Sequence, residues 1–223
     1  MQKFETPAPI TAIVEVPAGR IRVIAADRAD ATVEVLPAVA AKSRDVKAAQ
    51  QTTVEFDDGI LRIKTALEGN QILGPSGTVE VTVQVPSGSN IEVTSGGAEF
   101  RGVGRFGEVN CNGTHGAVKI DEAAKVRLAA LGGDVTIGRL NGPAEISTQK
   151  GDIRIAEATT GTLILDTQMG DVTVDAAPGV SAVLDAGTGH GRIHNALKNT
   201  EGAAAAVTIR ATTGHGDISA RSL

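Results

Sequence analysis

Aromatic side chains are nearly missing from this chain, which has four phenylalanines and neither tryptophan nor tyrosine in 223 residues. Hydrophobic residues still make up 41% of the sequence, so the core must consist mainly of valine, isoleucine, leucine and alanine. Such residues suit a thin aliphatic layer between strands. The scarcity argues against a carbohydrate-active β-helix, because such an enzyme needs clustered carboxylates and usually aromatic platforms for sugar rings.

Cysteine and long apolar runs are scarce as well. Cys111 is the single cysteine, which excludes an intrachain disulfide and agrees with a reducing compartment. No stretch approaches the roughly 20 apolar residues of a membrane span, and the first residues lack the apolar segment of a signal peptide. We therefore expect a cytoplasmic protein without a membrane partner.

An excess of positive charge is also lacking. The formal net charge is −5, and acidic and basic residues are interspersed along the chain. Binding to a phosphate backbone relies on clustered lysine and arginine, so no nucleic-acid partner is expected.

Glycine, by contrast, is abundant, and six glycines recur at a regular interval. The gaps between them are 17, 18, 19, 21 and 25 residues, and each glycine opens a Gly-x-(Val/Ile) segment: Gly116, Gly133, Gly151, Gly170, Gly191 and Gly216. A period of this length indicates stacked coils of strand. The wider last gap indicates an inserted loop over residues 195–206.

Two apolar positions per strand advance in step with the glycines. The first strand of each coil offers the pairs Val109/Cys111, Val118/Ile120, Val135/Ile137, Ile153/Ile155 and Val172/Val174, and the second offers Val126/Leu128, Ala144/Ile146, Leu163/Leu165, Ala182/Leu184 and Val207/Ile209. Alternate side chains of a strand share one face, so stacked coils would bury these positions as aliphatic columns. The sequence predicts an all-β chain that forms a right-handed parallel β-helix-like solenoid.

The first part of the chain is less regular. Residues 1–87 predict a strand-rich portion or cap, residues 88–223 predict the solenoid repeats, and we expect the two to form one continuous domain. A hairpin turn is expected at residues 57–59 and a surface loop at residues 67–77. Residues 38–51, rich in alanine, lysine and glutamine, predict either a helix or a loop.

The repeat phrases also carry a family resemblance. Thr148-Gln149-Lys150-Gly151-Asp152-Ile153, Thr167-Gln168-Met169-Gly170-Asp171-Val172 and Thr213-Gly214-His215-Gly216-Asp217-Ile218 resemble the repeats of a bacterial, actinobacterial-type β-strand-repeat family called "putative adhesin". The resemblance covers nearly the whole chain. It implies a solenoid fold in a domain of unknown function, and it implies no catalytic residues.

Aspartates and histidines at the coil glycines are the candidate site residues. Asp134, Asp152 and Asp171 occupy one coil position, where they could hydrogen-bond the turn amides or together hold a cation. His190 and His215 precede the glycines of successive coils, so their rings could lie side by side as zinc ligands or remain exposed turn residues.

No other motif predicts a reaction or a cofactor. Residues 102–107 match the dinucleotide fingerprint, but a strand follows them where that fingerprint needs a helix. Cys111 aligns with core isoleucines and is expected to be a buried hydrophobe. We expect no catalytic residues, no cofactor and no established metal site.

The sequence leaves three functions open. The first is a non-enzymatic β-solenoid scaffold or protein-interaction module that self-associates. The alternatives are a surface adhesin, as the family name suggests, and a carbohydrate-active enzyme. Ile218 and Ala220 continue the core columns near the end of the chain, so a homodimer through the C-terminal coil is expected, with residues 195–206 folding over this coil as the alternative.

Overall fold

A computed structural model of the chain describes residues 1–66 and 77–223. These residues form two compact units, Met1–Gly116 and Ala117–Leu223. The fold is all-β, and in the described ranges helix is confined to one short α-helix and one 3₁₀ turn. The loop expected at residues 67–77 lies outside the described residues except for Gly77. The domain boundary expected between residues 87 and 88 stays a prediction.

The N-terminal unit contains nine strands and the helix among its described residues. In chain order they are β1 (Gln2–Glu5), β2 (Thr11–Glu15), β3 (Ala18–Ala26), β4 (Asp30–Pro37), α1 (Ser43–Gln50), β5 (Thr52–Asp57), β6 (Ile60–Thr65), β7 (Val79–Pro86), β8 (Asn90–Thr94) and β9 (Gly97–His115). The prediction that this part of the chain is rich in strands is confirmed, and of β9 only the portion around Val109 and Cys111 was predicted. The β5–β6 hairpin turns through Asp58 and Gly59, whose φ angles of 47° and 72° are those of a tight hairpin turn.

The helix α1 resolves the ambiguity over residues 38–51. Asp45 lies in its first turn and is fully buried, and its Oδ1 accepts hydrogen bonds from the backbone N–H (3.0 Å) and the hydroxyl (3.3 Å) of Thr78. The hydrogen bond from the Thr78 backbone N–H is the main reason that the pKa of Asp45 lies below its usual value, although burial acts in the opposite direction. An ionised carboxylate therefore ties α1 to the start of β7.

The strands of the N-terminal unit pair out of chain order. β2 lies between β6 and β8, and β3 lies between β7 and β9, all in parallel. The coil formed by β2 and β3 is therefore inserted between two coils that come later in the chain. β4 and β5 add antiparallel strands beside β7 and β6.

The C-terminal unit contains ten strands. They are β10 (Val118–Gly132), β11 (Val135–Leu140), β12 (Ala144–Lys150), β13 (Ile153–Ala158), β14 (Gly161–Met169), β15 (Val172–Ala176), β16 (Ala182–His190), β17 (Ile193–Ala196), β18 (Val207–His215) and β19 (Ile218–Ser222). The 3₁₀ turn Gly202–Ala204 lies in the inserted loop.

The predicted registers of this unit are confirmed from β10 to β15, but β18 and β16 lie two residues away from the expected register, since Leu163 is opposite Ile209 rather than Val207. Val118, Val135, Ile153 and Val172 are successive partners in one row of parallel strands. Val126, Ala144 and Leu163 are successive partners in a second row. All seven are buried, with at most 4% of any side chain exposed, so the core consists of aliphatic columns that run through the stack.

The order of the last two coils differs from the sequence-based expectation. β18 lies between β14 and β16, and β19 lies between β15 and β17, again in parallel. The C-terminal coil (residues 207–222) is therefore the penultimate coil of the stack. The coil of residues 182–196, here named the end coil, takes the outer position.

This order corrects the expected contact through the C-terminal coil. Ile218 and Ala220 are each only 1% exposed, because the end coil covers them on one side and the β14–β15 coil covers them on the other. They cannot form an outward-facing dimer contact. The outer surface of the stack belongs to the end coil, where Ile193 is 46% exposed.

Candidate functional site

The coil glycines form a column of tight corners in the C-terminal unit. Each corner joins a long strand to a short one, and the backbones approach very closely there. A Cβ on Gly216 would lie 2.0 Å from the carbonyl oxygen of Gly170, and one on Gly191 would lie 1.9 Å from that of Gly216. Both glycines also have φ angles near +150°, which L-residues rarely adopt. Glycine is required at both positions because no side chain fits between the stacked corners.

The aspartates after these glycines form a hydrogen-bonded column. Asp134 Oδ1 accepts the backbone N–H of Asp152 at 3.0 Å, and Asp152 Oδ1 accepts that of Asp171 at 2.8 Å. Asp171 Oδ1 in turn accepts the N–H of Asp217 at 2.7 Å, and Asp217 Oδ1 accepts that of Arg192 at 2.8 Å. The three candidate aspartates therefore lie together and make the turn interactions expected of them.

Asp217 and Arg192 complete this column in a way that the sequence analysis missed. Arg192 occupies the aspartate position of the end coil, and its guanidinium lies 3.0 Å from Asp217 Oδ2. The Arg192 N–H, and then its guanidinium, hold the pKa of Asp217 below its usual value. One cation thus terminates a column of four carboxylates. In residues 1–66 and 77–223, no three His, Cys, Asp or Glu side chains are grouped as metal ligands would be.

Threonines stiffen the same corners. Thr167, Thr213 and Thr188 lie three residues before their coil glycines, and each donates its hydroxyl to a glycine carbonyl of the neighbouring coil. These donor–acceptor distances are 2.9–3.1 Å. The Thr-x-x-Gly spacing of the repeat phrases was the signal for these bonds, which the sequence analysis did not use.

The two candidate histidines are brought together on the outside of the corners. The imidazole rings of His190 and His215 are parallel to within 5°, and their centroids are 4.7 Å apart. Both side chains are exposed. Met169 is the strand partner of His215 on its other side and is 52% exposed. His194 lies elsewhere, opposite Ser219 on the short-strand row.

The end coil presents a free strand edge. β16 pairs with β18 on one side, and no described strand pairs with its other edge. The loop after the coil contacts the start of β16, where Ala182 donates its N–H to the carbonyl of Lys198 and the Ser181 hydroxyl accepts the N–H of Thr200. It also contacts β19, because Lys198 donates its N–H to the Ser222 hydroxyl. The predicted alternative, in which residues 195–206 cover the C-terminal coil, holds only for the first of these residues: Asn195 and Ala196 of β17 pair with Ala220 and Arg221, and the rest of that side is covered by β16 and the start of β17.

Cys111 and residues 102–107 both lie on β9 in the N-terminal unit. Cys111 is 1% exposed, and burial raises the pKa of its thiol to about 12. Residues 102–107 belong to the single strand β9, so no helix follows the fingerprint glycines. None of the helices in the described ranges is long and apolar enough to span a membrane.

Stacked parallel coils with a glycine column define a β-strand-repeat protein, and comparison with known families agrees. Residues 13–221 match the family model described as Toastrack DUF4097, so the chain belongs to this family, a domain of unknown function. The resemblance to a repeat family of unknown function is thereby confirmed. No curated protein matches the chain.

Solved structures of low sequence identity resemble this chain. A "putative adhesin" from Bacteroides fragilis NCTC 9343 is 14% identical, with 98% of this chain and 95% of that chain covered and a TM-score of 0.54. A "putative adhesin" from Parabacteroides distasonis ATCC 8503 is also 14% identical, with the same coverage and a TM-score of 0.48. At this identity the first likeness establishes the all-β, solenoid-like fold and nothing about function.

Proposed function

We propose that this protein is a non-enzymatic β-solenoid scaffold that self-associates through its end coil. One observation carries the proposal: the outer edge of β16 has no partner among the described strands, while core positions of the same coil are partly uncovered. Unpaired N–H and C=O groups along a strand edge are a template for another strand.

The end coil is covered on one side only. Ile193 and Ile218 occupy the same column on neighbouring strands, yet Ile193 is 46% exposed and Ile218 is 1% exposed. Leu184 is likewise half-buried, whereas its partner Ile209 is fully buried. A strand laid against this edge would therefore gain both backbone hydrogen bonds and apolar burial.

The proposed occupant is a second copy of the same chain, because the charges of this edge complement each other. Asp185 lies on β16, and Arg192 lies just beyond its other end; both are exposed. A two-fold axis pairs equivalent edges in antiparallel orientation, so Asp185 of each copy would approach Arg192 of the other.

A charge swap tests this contact. We expect light scattering after size exclusion to show a dimer whose fraction rises with concentration. Asp185→Arg should dissociate the dimer, because two arginines then face each other. Adding Arg192→Asp should restore it with reversed charges. Glu145→Arg makes the same charge change on β12, three strands inside the row, and should leave the dimer intact.

Two results would contradict the proposal. A chain that stays monomeric at all concentrations removes self-association. A dimer that is lost equally in the Glu145→Arg variant places the contact away from the end coil.

The handedness of the coils is part of the proposal. The parallel rows support a right-handed β-helix, since crossovers between parallel strands are right-handed in about 98% of cases.

A cytoplasmic location and an actinobacterial origin stay predictions. Recovery of the protein from the cell envelope or medium would favour the surface-adhesin alternative. Turnover of a polysaccharide or ester substrate that is lost on changing Asp152 or Asp171 would favour an enzyme.

A further inference from the structure

We infer that Met169, His215 and His190 form a binding site for a soft transition-metal ion, copper(I), on the corners of the C-terminal unit. These residues are consecutive partners across β14, β18 and β16. His190 is the last residue of β16, whose outer edge is proposed for self-association, whereas His215 and Met169 lie on the inner strands β18 and β14.

Strand register places the three side chains on one face. Partners in a parallel pair point the same way, and neighbouring strands are about 4.8 Å apart. The imidazole centroids of His190 and His215 are 4.7 Å apart, so the rings follow this spacing closely. Met169 is 52% exposed next to His215, so its thioether is open to the same solvent-facing surface.

The order of the coils decides which residues meet. Because the C-terminal coil is inserted between the β14–β15 coil and the end coil, His215 is the middle member of the column. One metal ion at His215 is therefore within one strand spacing of both Met169 and His190. The tetrapeptide Thr-Gly-His-Gly occurs in both histidine coils, which places the two rings at identical points of successive corners.

The separation of the two rings suits coordination of one ion. Imidazole nitrogens bind first-row metals at about 2.0–2.1 Å, so a linear N–metal–N unit spans about 4.1 Å and a tetrahedral one about 3.3 Å. The ring centroids are now 4.7 Å apart. Rotation of the exposed rings about their side-chain bonds brings one nitrogen of each ring to the nitrogen–nitrogen distance that a shared ion requires.

The donor set selects the kind of metal. Neutral imidazole is a common ligand of zinc and copper, whereas thioether sulfur favours copper(I). The nearby carboxylate of Asp217 is already engaged, because its two oxygens accept the Arg192 N–H and guanidinium. Hard cations that require several oxygen ligands, such as calcium, therefore gain little at this corner.

Anaerobic titration of the full chain with copper(I), in competition with a chromophoric chelator, tests the site. We expect one ion per chain. His190→Gln and His215→Gln should each weaken binding at least about tenfold, which corresponds to about 1.4 kcal/mol. Met169→Leu should weaken copper(I) binding by a similar factor but leave zinc binding unchanged. His194→Gln is the matched control and should bind like the wild type.

X-ray absorption of the copper-loaded protein provides the second measurement. We expect nitrogen neighbours and one sulfur neighbour, with the sulfur contribution lost in Met169→Leu. Undiminished binding by the His190→Gln/His215→Gln double variant would overturn the site, as would an equal loss in His194→Gln. Repeating the titration with Asp185→Arg separates this inference from the proposed dimer, since the corner site should persist in a monomer.

Discussion

The exchanged order of the last two coils can be tested by one substitution made at two positions. Ile218 and Ile193 are partners in one column, and both would be replaced by alanine. Ile218 is 1% exposed between Val172 and Ile193, whereas Ile193 is 46% exposed on the outer surface. If the coils instead stacked in chain order, Ile193 would be the interior residue and Ile218 the outer one.

The expected losses follow from these exposures. Truncating a fully buried isoleucine to alanine costs about 2–5 kcal/mol, because a cavity adds to the lost transfer free energy. Truncating one that is already half exposed costs about 1 kcal/mol, since less apolar surface is involved and no cavity forms. For a chain of this size each kcal/mol lowers Tm by about 2–4 °C. We therefore expect Ile218→Ala to lower Tm by about 4–20 °C and Ile193→Ala by only about 2–4 °C.

Circular dichroism during heating and during urea titration is the appropriate assay. Both variants are compared at a concentration at which light scattering shows monomers, so that loss of a dimer does not contribute. A larger loss of stability in Ile193→Ala than in Ile218→Ala, or equal losses, would refute the coil order.

Two further predictions concern the corners and the buried carboxylate. Gly216→Ala should destabilise the protein by more than about 1 kcal/mol, because the φ of Gly216 is +151° and the added Cβ would collide with a carbonyl oxygen. In Gly187→Ala the added Cβ has no atom within 4 Å, so thermal unfolding of this variant should match that of the wild type. Asp45 has a lowered pKa in the folded protein, so its carboxylate contributes stability above the unfolded pKa of about 3.9 and loses this contribution as pH falls through the lower folded value. The stability difference between wild type and Asp45→Asn, measured by urea unfolding, should therefore shrink below about pH 4, and a constant difference would contradict this role.

Sequence periodicity predicted the strands and registers because burial imposes them locally. Val135, Ile153 and Val172 alternate with polar residues at one spacing from the coil glycine, and any stack of these coils must bury them. The tight hairpin at residues 57–59 is local in the same sense.

The coil order could not be predicted because every coil carries the same pattern. Leu163 pairs with Ile209, and Leu184 at the equivalent point of β16 is an equally acceptable partner, so periodicity does not decide which coil lies next to which. Their order depends on long-range packing and on the inserted loop. The N-terminal coil of β2 and β3 is displaced in the same way, which the pattern also left undetermined.

The candidate site was predicted in part for the same reason. The three aspartates and two histidines share a position within the repeat, so their proximity followed from the period alone. Arg192 as the end of the aspartate column, and Met169 beside His215, depend on which coil is outermost and which is penultimate.

Engineered disulfides measure the coil order directly. Ile164 is the partner of Arg210, which in turn is the partner of Asp185. Neighbouring strands are about 4.8 Å apart, so cysteines at 164 and 210 lie within disulfide range, whereas residues 164 and 185 are separated by about 9.6 Å. The native Cys111 is buried, which raises the pKa of its thiol to about 12 and keeps it out of exchange. We predict rapid oxidation of Ile164→Cys/Arg210→Cys and none of Ile164→Cys/Asp185→Cys, as read by mass spectrometry of the folded protein; the reverse result would contradict the account.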